Sequence, residues 1–173
     1  MNKWLFGLIC LVLVGLVACQ GDVAEPAEET VTEQQAATSA EQSTPAAVDE
    51  TGEPERIVIQ HILISYKGVI PKPDLVRTQA EAEILAADIL KRAQAGEDFP
   101  ALVKEYTDDQ FPGIYAMSNL GVEPDKAAEE FPRAGMVKAF GDVSFSLEVG
   151  EIGTTTFDEA TSKYGWHIIK RLK

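Results

Sequence analysis

The chain has two histidines, His61 and His167, and each falls near the middle of a run of alternating, largely β-branched residues. An imidazole in such a setting is either a hydrogen-bonded core group or half of a working pair. Neither histidine has a nearby acidic pattern that would suggest metal ligation. The only cysteines, Cys10 and Cys19, lie in the first 19 residues. The remaining chain therefore holds no disulfide framework, thiol nucleophile or thiolate metal site. Met136 and Phe140 stand four residues apart, the spacing that puts two side chains on one helix face. Methionine adapts to irregular shapes and phenylalanine offers a flat wall. Such a face serves ordinary core packing or an apolar pocket. Asp109, taken alone, is a solvated turn residue.

These residues need a frame. Residues 56–65, RIVIQHILIS, alternate as a strand with Ile57, Ile59, His61 and Leu63 on one face and Val58, Gln60, Ile62 and Ile64 on the other. Both faces are apolar, which suits a central strand. Thr78 with Glu81 has capping-box spacing. Ala82, Leu85, Ala86, Ile89, Leu90 and Ala93 then recur at helical spacing until Gly96. Residues 99–107 predict a second short helix with Pro100 in its first turn. Gly, Pro and Asn punctuate 112–124, and short helical segments are expected at 125–131 and 136–144. Residues 151–157 and 164–172 read as closing strands, the second with His167, Ile169 and Arg171 on one face. Strand, helices, then strands is an α+β order, and about 119 residues suffice for one core.

Residues 1–18 read as a signal peptide: Lys3 precedes an apolar run from Trp4 to Ala18 that is short of the ~20 residues of a spanning helix. A short membrane anchor helix is the other reading. Leu16-Val17-Ala18-Cys19 resembles the bacterial lipobox. The resemblance implies acylation of Cys19 with diacylglycerol and cleavage just before it, with Cys10 leaving in the signal peptide. Two or three acyl chains anchor stably where one does not. Gln20 follows the cysteine where an inner-membrane retention signal would have Asp, which favours the outer membrane in an organism that has one.

The formal net charge of −13 is uneven: residues 20–54 hold nine acids and no Lys or Arg. That stretch also lacks aromatics, Leu, Ile and Met, so it cannot bury enough apolar surface to offset its ordering entropy. Residues 19–55 are expected to be a disordered acidic tether with a reach of roughly 30 Å; a short Ala/Glu helix is the alternative. The folded part, residues 56–173, is only mildly acidic and has no basic footprint for nucleic acid.

Over nearly all of residues 56–173 the sequence resembles the parvulin family of prolyl isomerases. The match runs through Gln60-His61-Ile62-Leu63, Tyr106-Thr107-Asp108-Asp109, Gly135-Met136-Val137 with Phe140, Phe145-Ser146-Leu147, Val149-Gly150-Glu151-Ile152 and Tyr164-Gly165-Trp166-His167-Ile168-Ile169. The resemblance implies a parvulin-like fold of the FKBP-like superfold: a small antiparallel sheet of about four strands wrapped by about four helices. It implies that His61 and His167 face each other with Asp109 beside them as the catalytic group. It implies that Met136 and Phe140 line a proline pocket, that Tyr115 contributes to substrate binding, and that Ser162 bonds the paired histidine. Tyr115 stands where the family more often has Gly-Asp-Leu, and residues 116–134 exceed the usual connection. Residues 65–77 hold only Lys67, Lys72 and Arg77, with no tight cluster like that of the phosphoserine-specific branch.

The expected activity is cis-trans isomerisation of X-Pro bonds in unfolded or exported polypeptides at the cell envelope, with no cofactor and no metal. Two alternatives of different class stand beside it: a non-catalytic parvulin-fold chaperone or binding module tethered to the membrane, and a subunit of a larger envelope assembly.

Overall fold

In the computed structural model of the chain, residues 47–48 and 52–173 are described. The expected signal peptide, Cys19 and nearly all of the expected tether lie outside the described residues. The described residues form β1 (Arg56–Ile64), α1 (Gln79–Gln94), α2 (Phe99–Tyr106), β2 (Ile114–Ser118), β3 (Phe131–Pro132), α3 (Lys138–Ser146), β4 (Ile152–Thr155) and β5 (Trp166–Arg171), with a 3-10 turn at Arg133–Gly135. The sheet order is β3-β2-β1-β5-β4. All neighbours are antiparallel except β2 and β3, which run parallel.

β1 is central because both of its faces are apolar. Ile62 and Ile64, with Trp166 and Ile168 opposite them on β5, pack under α1 and α2 against Ile89, Phe99 and Leu102. Ile57, Ile59 and Ile169 pack on the other face against Met117, Phe140, Phe145 and Leu147. The expected capping box opens α1: the Glu81 N–H donates to Thr78 Oγ1 at 3.3 Å and the Thr78 N–H to Glu81 Oε2 at 2.7 Å. Asp98 caps α2 by accepting from the Ala101 N–H at 3.2 Å.

The α+β parvulin fold stands, with corrections. The sheet has five strands and is mixed, and three α-helices cover it among the described residues. β2 fills a stretch expected to be loop. Residues 125–131 are not helical. The Asp125 carboxylate accepts from the Ala127 and Ala128 N–H groups at 2.9 and 3.4 Å, an Asx-type turn that competes with helix. Helix α3 begins at Lys138, not at 136, because Met136 and Val137 are extended (ψ 162° and 128°).

The residues just before β1, expected to belong to the tether, lie on the domain. The Asn119 N–H donates to Glu55 O at 2.8 Å and its side-chain amide to Pro54 O at 3.1 Å, while Arg133 bonds Glu53 at 2.6 Å.

Candidate active site

The β1–β5 register pairs His61 with Ile169 and Leu63 with His167. Both histidines therefore project from the same sheet face, one diagonal step apart. Their rings stack at 14° with the two Nδ1 atoms 3.3 Å apart, and both are almost fully buried. The β1 edge that β2 leaves uncovered is completed by the chain after α2. The Leu63 N–H donates to Thr107 Oγ1 at 3.2 Å, the Asp108 N–H to Leu63 O at 2.8 Å, and the Ser65 N–H to Asp108 Oδ2 at 2.9 Å. This stitching brings Asp109 to the histidines, its Oδ2 3.2 Å from His61 Nε2 in a contact that is close but poorly aligned for a hydrogen bond. Tyr115 donates its hydroxyl to the same Oδ2 at 3.2 Å.

Two glycines let the strands approach. Gly113 (φ +66°) accepts from the His61 N–H at 2.9 Å, and a Cβ there would sit 2.6 Å from His61 O. Gly165 (φ +136°) precedes β5, where a Cβ would meet Ile64 O at 2.2 Å. Neither position admits a side chain.

Asp109 is held down to about 2, chiefly by the His61 nitrogen, with partial burial opposing and the Gln110 N–H and Tyr115 hydroxyl assisting. Burial and then the Asp109 charge raise the Tyr115 phenol, so it stays a donor. Burial, reinforced by His61, lowers His167 to about 3, with Asp109 opposing weakly. Ionised Asp109 only accepts, so it faces His61 Nε2 as an acceptor. The two Nδ1 atoms, 3.3 Å apart, share a single hydrogen, since one ring must donate and the other accept. His167 Nε2 makes no hydrogen bond among the described residues.

Around this polar cluster lies a hollow of about 140 Å³, lined by His61, His167, Asp109, Tyr115, Met136, Val137, Phe140 and Tyr164. That is close to the roughly 150 Å³ that accommodates benzene in an engineered cavity. Phe140 meets the His61 ring at 5.1 Å and the His167 ring at 5.1 Å, and Tyr115 meets His61 edge-on at 5.2 Å. The site thus combines a ring-sized, mainly apolar hollow with one fixed anion at its side.

Six of the expected residues meet here: His61, Asp109, Tyr115, Met136, Phe140 and His167. Met136 joins from the extended residues before α3, so it and Phe140 do not share a helix. Ser162 does not join. It is fully buried, donates to Gly165 O at 2.9 Å and lies 3.1 Å from Thr155 Oγ1, which in turn accepts from the His167 N–H. It bonds neither imidazole and reaches the His167 backbone only through Thr155 of β4. Val137 and Tyr164 line the hollow and were not anticipated; Tyr164 lies in the quoted Tyr164-Gly165-Trp166-His167 stretch. Asp108 was also missed as a separate element. Its buried carboxylate accepts from Lys72 at 2.9 Å and Arg77 at 2.6 Å. These two cations are thus committed to an internal carboxylate rather than to an anionic substrate. Among the described residues no His, Cys, Asp and Glu cluster could hold a metal ion.

The family model for the PPIC-type PPIase domain matches residues 45–173. Among curated proteins, Chaperone SurA of Chromohalobacter salexigens is 36% identical over 124 residues, covering 69% of this chain and 24% of that protein. Foldase protein PrsA of Caldanaerobacter subterraneus subsp. tengcongensis is 40% identical over 88 residues, covering 51% of this chain and 24% of that protein. The chain thus spans about a quarter of the length of these relatives. The solution structure of TbPIN1 superposes with a TM-score of 0.53 at 22% identity, covering 69% of this chain and 98% of that one, which is likeness of fold.

Proposed function

This chain belongs to the PPIC-type PPIase family of parvulins, and from that premise we propose that its hollow grips the proline of an X-Pro peptide and accelerates rotation about the preceding amide. The observation that carries this reading is the fixed Asp109 carboxylate beside an apolar hollow of about 140 Å³. A planar amide holds partial negative charge on its carbonyl oxygen, and the barrier to rotation is about 18–20 kcal/mol. Twisting breaks the conjugation and discharges that oxygen. A nearby fixed anion and apolar walls disfavour the planar, dipolar form more than the twisted one, which is differential stabilisation of the transition state. No bond breaks, so no nucleophile is needed. The histidine pair shapes the site: His61 keeps Asp109 ionised, and His167 holds the His61 ring from the other side.

The substrates proposed are unfolded or newly exported polypeptides, whose uncatalysed X-Pro isomerisation takes tens to hundreds of seconds. Relatives named foldase and chaperone support a folding role. In a protease-coupled assay on a proline tetrapeptide, the chain is expected to reach a kcat/KM on the order of 10⁴ M⁻¹s⁻¹ or more. Activity equal to the blank in a folded sample would favour the non-catalytic chaperone, in which the same hollow only holds proline.

The location proposed is extracytoplasmic, with acylated Cys19 as the anchor and the acidic stretch as the tether. Cys19→Ala is expected to move the protein from the membrane to the soluble fraction on cell fractionation. Continued membrane association would mean that residues 1–18 act as an uncleaved helix.

A further inference from the structure

Two further troughs open from the proline hollow, and their charges differ. One, about 410 Å³, continues past Asp109, His167 and Tyr164 to Leu63, Ile70 and Pro71. Its single cation, Lys72, is bonded to Asp108, and Asp108 and Asp109 both line it. Arg77 bonds Asp108 as well, so that buried carboxylate is fully offset, and the arm offers an apolar floor with the part-exposed Asp109 as the anion next to the proline hollow. The other, about 440 Å³, continues past Met136, Val137 and Tyr164 to Lys138 and Lys163, and no acid lines it. Lys138 is paired with Asp142. Lys163 has no carboxylate partner among the described residues, and its Nζ is held 5.0 Å over the Tyr164 ring, the residue that all three hollows share.

The geometry points to a substrate subsite for an acidic side chain flanking the proline, formed by Lys163 in the trough beyond Met136 and Tyr164. It deepens the prolyl isomerase reading and rests on it. A chain seated with its proline in the hollow must leave along both arms. The first arm begins at the Asp109 carboxylate and its one lining cation is already taken by Asp108, while the arm toward Lys163 presents an unpaired ammonium steadied by an aromatic face. The domain is acidic overall, so a basic trough joined to the site stands out against its surroundings and favours an acidic flank through charge complementarity. Because the ammonium is exposed, the gain is modest and sensitive to salt.

The test is a set of proline peptides carrying Glu or Ala at the position before proline, or at the first or second position after it, assayed for kcat/KM on the full chain. One Glu position is expected to exceed its Ala counterpart by about two- to fivefold at low ionic strength. That Glu:Ala ratio is expected to fall to one in 0.5 M salt and to one or below in Lys163→Glu. Measurable turnover with flat ratios at every position, or a gain that survives Lys163→Glu, overturns the subsite and leaves the isomerase reading standing. Absence of turnover on every peptide sinks the isomerase reading instead. The dissociation constants of the same peptides then decide the subsite: tighter binding of a Glu peptide by the native chain but not by Lys163→Glu upholds it, and equal binding overturns it.

Discussion

Phe140→Ala is expected to lower kcat/KM for isomerisation by more than about 100-fold and to destabilise the domain by about 3–5 kcal/mol. Phe140 is 4% exposed and belongs to the core cluster of Ile57, Ile59, Met117, Phe145, Leu147 and Ile169. Its ring also walls the hollow and meets both imidazoles. Truncation therefore leaves a cavity that the sheet cannot close, and it frees the histidines to tilt. A domain of this size has on the order of 5–15 kcal/mol to lose, so the activity of the variant is read without denaturant, at a temperature where its urea unfolding curve shows it folded. Met136→Ala provides the contrast. Met136 is half-buried, stands outside α3 and only flanks the core. It is expected to lose about tenfold in kcat/KM, roughly 1.4 kcal/mol of transition-state stabilisation, with less than about 1 kcal/mol of stability lost. Urea unfolding and the coupled assay on both variants check this. If Met136→Ala lost as much stability as Phe140→Ala with activity unchanged, Met136 would be core and the hollow would not be the substrate site.

That contrast marks where sequence reading ends. The apolar pairing of residues 136 and 140 is legible from spacing, but not the two extended residues that delay α3 until Lys138. The capping box of α1 is legible because both partners lie within four residues. β2 is not: Ile114–Ser118 is five residues long among Gly, Pro and Asn, and it becomes a strand only because the edge of β1 from Arg56 to Gln60 offers it partners. The same limit applies to the site. His61 and His167 each read locally as strand residues on an apolar face. Their meeting depends on a β1–β5 register between segments 106 residues apart, which no local period encodes and only the family resemblance supplied. Ser162 failed for the related reason that β4 brings Thr155 between it and His167. Asp108 and Asp109 are adjacent and chemically identical, yet one is buried under two cations and the other faces the hollow; only the fold separates them.

The buried, uncharged His167 carries the other large expectation, a loss of stability in mild acid. An ordinary histidine titrates near 6.5, whereas His167 in the folded protein resists protonation until about 3. As pH falls through 6.5 the unfolded chain gains a proton at His167 that the folded chain refuses, so the unfolded state is favoured by up to about 1.4 kcal/mol for each further pH unit. The effect levels off once the folded form also protonates near 3. Asp109 acts in the same direction but lower, because its folded value of about 2 lies below the ordinary 3.8 and its contribution is lost as pH falls between them. Between pH 6.5 and 4.5, therefore, His167 is expected to remove about 2–3 kcal/mol, measured as a fall in the urea midpoint. His167→Gln has its own packing cost, so the readout is the pH dependence and not the absolute stability: its midpoint is expected to fall less than that of the native chain over the same interval. Identical pH dependence in the two proteins would mean that His167 takes a proton as readily folded as unfolded. The burial that opposes a charge on His167, and the single hydrogen shared between the two stacked rings, would not then describe the folded site.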